Sequence, residues 1–221
     1  MKRMFLLLLL LPATLAAQQQ TDWANFGRYA KANYVLEVAP TVVFMGNSIT
    51  DGWDDAHESF FTMNNYVCRG ISGQVSAQML SRFRADVIEL HPLAVVILAG
   101  TNDLALNNGY IESEHIVENI ASMAELAEAA GIRPILCSVL PAKEFHWRPE
   151  VKNVPLKIRG LNSRLRLYAA DKGYTWVEYY ESLSEKDGSM KAAYTTDGVH
   201  PNAAGYAVME KILEPILSEY N

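Results

Sequence analysis

Four short segments hold polar residues that could do chemistry together. They are Gly46-Asn47-Ser48-Ile49-Thr50-Asp51-Gly52, Arg69-Gly70-Ile71-Ser72-Gly73-Gln74, Gly100-Thr101-Asn102-Asp103 and Asp197-Gly198-Val199-His200-Pro201. A serine hydroxyl is a poor nucleophile unless a base takes its proton as it attacks. A neutral imidazole does this near pH 7, because histidine has a reference pKa of about 6.5. A carboxylate beside the imidazole fixes its tautomer and stabilises the imidazolium. Asp197 and His200 lie three apart, so one turn can present both. Singly, each segment has a plainer reading. G-N-S is a common turn, Ser48 a possible helix cap, G-T-N-D a turn followed by a cap, and D-x-x-H a frequent surface turn. Asp103 reads as structural, capping the next helix or fixing its loop.

These segments need elements that bring them to one place. Apolar runs occur at Thr41 to Met45, Tyr66 to Cys68, Ala94 to Leu98 and Pro134 to Leu140, with a weaker one at Tyr174 to Tyr180. Runs that do not alternate with polar residues suit strands buried on both faces. Between them, Glu112 to Ala130 puts Ile116, Ile120, Met123 and Ala127 on one helical face, with Gly131 as a stop. Pro155 to Lys172 repeats the spacing with Ile158, Leu161, Leu165 and Tyr168. Asn202 can cap a last helix from Ala203 to about Tyr220, which Pro215 should kink or interrupt. Strands alternating with helices predict a parallel sheet with helices on both faces and right-handed crossovers. In such sheets ligands bind at the carboxyl ends of the strands. The first three polar segments stand there.

The chain has 221 residues, enough for one domain, and a net charge of −6. With 19 Lys and Arg against 25 Asp and Glu, it has no basic excess to displace counterions, so nucleic acid is not an expected partner. Lys2 and Arg3, the apolar run Met4 to Leu11 and small residues up to Ala17 have the layout of a secretory signal peptide. The run is too short for a membrane span, which needs about 20 residues. The expected division is therefore a signal peptide at 1–17, cleaved after Ala17, and a single exported domain at 18–221, periplasmic or secreted. No stable membrane insertion is expected after cleavage. Cys68 and Cys137 sit in strand-like segments and read as small buried hydrophobes. No His, Asp, Glu and Cys cluster has metal-ligand spacing, so no metal or other cofactor is implied. His57, His91, His115 and His146 read as surface or structural.

Taken together and in this order, the four segments resemble the sequence blocks of the SGNH hydrolases, also called the GDSL lipase/esterase family, from about Thr41 to Tyr220. The resemblance implies a three-layer αβα sandwich with a flavodoxin-like parallel sheet of about five strands, ordered 2-1-3-4-5. It implies that Ser48 is the nucleophile and that Asp197 and His200 complete a catalytic triad. Asn47 stands where the family pattern has Asp, a change that keeps the nucleophile. The resemblance further implies an oxyanion hole made by the N–H of Ser48, the N–H of Gly73 and the side-chain amide of Asn102, with Gly70 the competing glycine.

Aromatic residues near the expected mouth, Trp53, Phe60, Phe61, Phe145, Trp147 and Tyr194, suggest a substrate wall. Of these, Trp53, Phe145, Trp147 and Tyr194 are the candidate substrate-binding residues. The irregular stretch Pro141 to Pro155 is a candidate lid or wall. The expected activity is hydrolysis of short-acyl, acetyl-type esters, on a small molecule or a carbohydrate, through an acyl-enzyme. Lysophospholipid or acyl-thioester hydrolysis, and an inactive carbohydrate-binding relative, are the alternatives. Cofactor binding of the flavodoxin kind lacks a phosphate-cradling glycine loop. The G-x-S-x-G elbow of ordinary α/β-hydrolases would need glycine where Thr50 stands.

Overall fold

The computed structural model describes residues 22–220; the expected signal peptide lies outside them. The apolar runs form β1 (Val42–Gly46), β2 (Tyr66–Gly70), β3 (Ala94–Leu98), β4 (Arg133–Cys137) and β5 (Thr175–Val177). They pair in parallel in the order β2-β1-β3-β4-β5, as the resemblance implied.

Both faces of the sheet are covered, which is why its central strands carry no polar alternation. The helices are α1 (Gly27–Tyr34) before the first strand, α2 (Ser48–Ala56), α3 (Glu58–Thr62), α4 (Ser76–Asp86), α5 (Thr101–Leu104), α6 (Ser113–Ala129) and α7 (Val154–Lys172) between the strands, and α8 (Tyr180–Leu183) and α9 (Ala203–Leu217) after the last. Val43, Met45, Val95, Ile97 and Leu136 face a layer built from α4, α6 and α7. Val42, Phe44, Val96, Leu98, Ile135 and Cys137 face α2, α3 and α9. The α9 helix passes through Pro215 without interruption and tightens into a 3-10 turn only at Ser218–Tyr220. Pro215 sits in its last turn, where the lost N–H costs a single hydrogen bond.

Two of the four candidate substrate-binding residues, Trp53 and Phe145, are in the core instead. Trp53 is 1% exposed and stacks between Phe60 and Tyr206. Its Nε1–H donates to Glu210 Oε1 at 2.9 Å. Phe145 is fully buried in the cluster beneath α6 and α7. Neither presents a surface to a substrate. Phe61 is also buried, and Phe60 packs beside it. Tyr194 is half-buried against the cluster under α9 and carries Lys191 over its ring. Phe145 and Val151 anchor the 141–155 stretch in the core.

Candidate active site

The turn after β1 is built to expose Ser48. A Cβ on Gly46 would lie 1.9 Å from Thr50 Oγ1, so only glycine lets Thr50 fold back over the strand end. Asn47 caps α2 by accepting the Ile49 N–H at 3.0 Å, which an aspartate would do equally well. Ser48 is therefore the first residue of the helix, where backbone N–H groups have no helical acceptor and the helix dipole is positive.

Ser48 Oγ lies 2.9 Å from His200 Nε2, across 152 residues of sequence. His200 Nδ1 lies 2.7 Å from Asp197 Oδ2. An ionised carboxylate can only accept, so Nδ1 carries the proton and Nε2 is left free to accept from Ser48. Asp197 Oδ1 also accepts the N–H groups of Val199 at 2.9 Å and His200 at 2.8 Å. Burial is the largest single influence on this carboxyl and pushes its pKa up. The bonds from His200 and Val199 together outweigh it and hold the pKa at about 2, below the usual 3.8. Thr195 closes the turn, donating to the His200 carbonyl at 2.7 Å and accepting the Gly198 N–H at 3.0 Å.

The two candidate glycines separate clearly. Gly70 ends β2 and packs on the turn that carries Ser48. A Cβ there would meet Asp51 N at 2.2 Å, so this glycine serves close packing. Gly73 sits in the exposed loop beyond β2, at φ +81°, and a Cβ there would meet no atom within 4 Å. Asn102 is buried at the end of the β3 turn and donates one amide hydrogen to the Gln74 carbonyl at 3.0 Å. Its second amide hydrogen is free of that bond. Asp103 is structural, as expected, but it holds the preceding α4 and not its own helix. Its carboxylate accepts the Ser76 N–H at 3.0 Å and the Ser76 hydroxyl at 2.5 Å. Burial pushes the Asp103 carboxyl up, and the Ser76 bonds oppose the rise.

Trp147 is the aromatic candidate that reaches the site. Its ring centroid lies 6.4 Å from that of His200, and its Nε1–H donates to Asn107 Oδ1 at 2.8 Å. Asn107 in turn reaches the Gly73 carbonyl at 3.4 Å. Sequence reasoning missed Asn107 and also Asp51, whose Oδ2 accepts the Ser72 hydroxyl at 2.8 Å and so ties α2 to the Gly73 loop. Asp51 stands three residues after Ser48, one helical turn on, which is a signal the sequence does offer. The other histidines lie outside this network: His57 pairs with Glu210, His115 with Glu118, His91 caps a 3-10 turn, and His146 stacks edge-on against Trp147.

A parallel sheet presenting a serine, a histidine and an aspartate at its carboxyl end defines the class of serine hydrolases built on a three-layer α/β fold. Within that class the chain belongs to the GDSL-like lipase/acylhydrolase family, whose model matches residues 44–208. It is similar to a GDSL-like lipase of Bacteroides thetaiotaomicron VPI-5482, with 48% identity, a TM-score of 0.86, and 90% of this chain and 99% of that one covered. A structure from Bacteroides fragilis NCTC 9343, assigned to the acylhydrolases, aligns with 47% identity and a TM-score of 0.88 over the same shares. The isoamyl acetate-hydrolyzing esterase 1 homolog of Bos taurus is 27% identical over 209 residues, which cover 82% of this chain and 83% of that protein. The protein is an ester hydrolase of this family.

Proposed function

We propose that the protein is an exported serine esterase that removes short acyl groups, acetyl above all, from small-molecule or carbohydrate esters. The observation that carries this reading is the continuous relay from Ser48 Oγ to His200 at 2.9 Å and on to Asp197 at 2.7 Å. His200 Nε2 takes the Ser48 proton as Oγ attacks the carbonyl carbon, and the imidazolium is stabilised by Asp197. The oxyanion is met by the N–H of Ser48, the N–H of Gly73 and the free amide hydrogen of Asn102. His200 then gives its proton to the leaving alcohol oxygen as the C–O bond breaks, leaving an acyl-Ser48 ester. Water, deprotonated by His200, releases the acid and restores the serine.

A short acyl group is supported by the acetate ester in the name of the bovine relative and by the wall that Trp147 and Asn107 form beside His200. Export is supported by the charged, apolar and small-residue order of positions 1–17. Among the described residues no helix is long and apolar enough to cross a membrane.

The test is hydrolysis of p-nitrophenyl esters of rising chain length by the wild type and Ser48→Ala, beside acetylated oligosaccharides, a lysophospholipid and an acyl thioester. The reading expects the acetyl ester to lead and Ser48→Ala to be inactive yet folded. A preference for long acyl chains overturns the acyl assignment. Activity that survives Ser48→Ala overturns the nucleophile.

A further inference from the structure

Arg82 on α4 has no exposed surface. A guanidinium taken that far from water is costly unless its donors are met. Its Nη1 pairs with Asp86 at 2.9 Å, one turn along the same helix. That pair alone would satisfy a structural role, and the remaining bonds go elsewhere. Nη2 donates to the carbonyl of Gly46 at 3.1 Å and to that of Arg69 at 2.9 Å. Nε donates to Gln74 Oε1 at 2.7 Å.

Each acceptor lies next to a group of the active site. The Gly46 carbonyl belongs to the peptide leading into Asn47 and Ser48. The Arg69 carbonyl lies one residue before the end of β2, close to the loop that carries Gly73. Gln74 comes directly after Gly73, and its main-chain carbonyl receives the amide of Asn102. One planar fork therefore touches two of the three segments that supply oxyanion donors, and through Gln74 it reaches the third, that of Asn102. Its supports come from beyond residues 44–208, the span that matches the family. Asn33 of α1 donates to Asp86 Oδ1 at 2.7 Å, and Gln74 Nε2 donates to the Ala24 carbonyl at 2.7 Å.

We infer that Arg82 is a positioning residue for the oxyanion hole, setting the spacing of the Ser48, Gly73 and Asn102 donors through Gly46, Arg69 and Gln74. The inference rests on the esterase reading above and extends it to a residue that no substrate touches. A donor displaced by about 1 Å costs on the order of 10²-fold in rate, and one lost outright about 10² to 10³-fold. Lysine at this position keeps the charge but cannot reach three acceptors in one plane.

The experiment compares wild type, Arg82→Lys and Gln74→Met on p-nitrophenyl acetate, and follows amide hydrogen exchange in each. Gln74→Met removes an acceptor of Arg82, and with it the bond to the Ala24 carbonyl, while leaving the buried ion pair and the Gln74 carbonyl in place. Both variants should lower kcat by about 10- to 100-fold with KM little changed, the signature of a transition-state interaction. Exchange should quicken at residues 71–75 while Ala94–Leu98 stays protected. A kcat near wild type in both folded variants overturns the inference, as does faster exchange spread evenly over the sheet. If Arg82→Lys does not fold, Gln74→Met decides. If the wild type cleaves no ester, the esterase reading fails by itself, and exchange at 71–75 still judges the clamp.

Discussion

The side-chain amide of Asn102 donates to the main-chain carbonyl of Gln74 at 3.0 Å, so the loop after β3 is tied to the loop after β2. One amide hydrogen is committed to this link, which leaves the other for the site. Asn102→Asp keeps the size of the side chain but replaces both donors by a carboxylate beside a developing negative charge. It should lower kcat by about 10² to 10³-fold. Steady-state kinetics of the purified variant, with circular dichroism as the check on folding, measures this.

The two glycines of the second segment should respond in opposite ways. Gly70→Ala drives a methyl group into the backbone of Asp51 at 2.2 Å, so the nucleophile turn must move and both stability and activity should fall. Gly73→Ala meets no atom within 4 Å, and its main penalty is the left-handed backbone at φ +81°, about 1 to 2 kcal/mol. Thermal melts of the two variants should place Gly70→Ala well below Gly73→Ala.

Asp197 sets the acid behaviour. Its carboxyl is held at about 2 in the fold, against a usual 3.8, so it stays ionised wherever the enzyme works. Asp197 should then contribute no ionisation of its own to the kcat profile near neutral pH. A carboxyl with a depressed pKa contributes stability above its unfolded value and loses it as pH falls from about 3.8 to about 2. Acid unfolding of Asp197→Asn should lack that component. The same variant should lower kcat by about 10⁴-fold, because the amide cannot hold the imidazolium. An unchanged rate would remove Asp197 from the relay.

Cys68 and Cys137 lie on β2 and β4, with β1 and β3 between them. Three strand spacings of about 4.8 Å separate them by about 14 Å, far beyond the reach of a disulfide. Both thiols are free and buried, and burial pushes Cys68 up to about 12. A thiol reagent should count none in the native protein and two after denaturation without reductant.

Trp53 and Trp147 separate packing from substrate contact. Trp53→Ala empties a site between two stacked rings and should cost about 3 to 5 kcal/mol of stability. Trp147→Ala removes a half-buried ring beside His200. It should leave the melting temperature nearly unchanged while altering the preference between acetyl and longer esters.

The strands were legible in the sequence because their apolar runs have no polar interruption, and each strand appears within a few residues of its expected bounds. The α4 helix was not legible. Its buried face includes Ser76, Arg82 and Asp86, so the apolar spacing that marks α6 and α7 is broken by polar groups with tertiary partners. Trp53 was misplaced for a different reason. Nearness to Ser48 in sequence suggested the mouth, but Ile49 and Trp53 are four apart on α2, which puts both on the face that meets the core. Phe145 offered no periodicity in an irregular stretch, so only the tertiary structure could place it. The fork of Arg82 depends on the carbonyls of Gly46 and Arg69 and on the side chain of Gln74, a relationship that residue types alone do not carry.

The order of the active-site parts along the chain has a consequence for synthesis. Ser48, Gly73 and Asn102, the proposed nucleophile and oxyanion donors, lie within the first half, whereas His200, the proposed base, comes at position 200, just before the last helix. Tyr206 of α9 donates to the Ile49 carbonyl at 2.8 Å and stacks on Trp53, which fastens the base-bearing turn to the nucleophile helix. A growing chain therefore carries a serine with nothing to take its proton. On the esterase reading, the Ser48–His200 relay cannot run until α9 is docked.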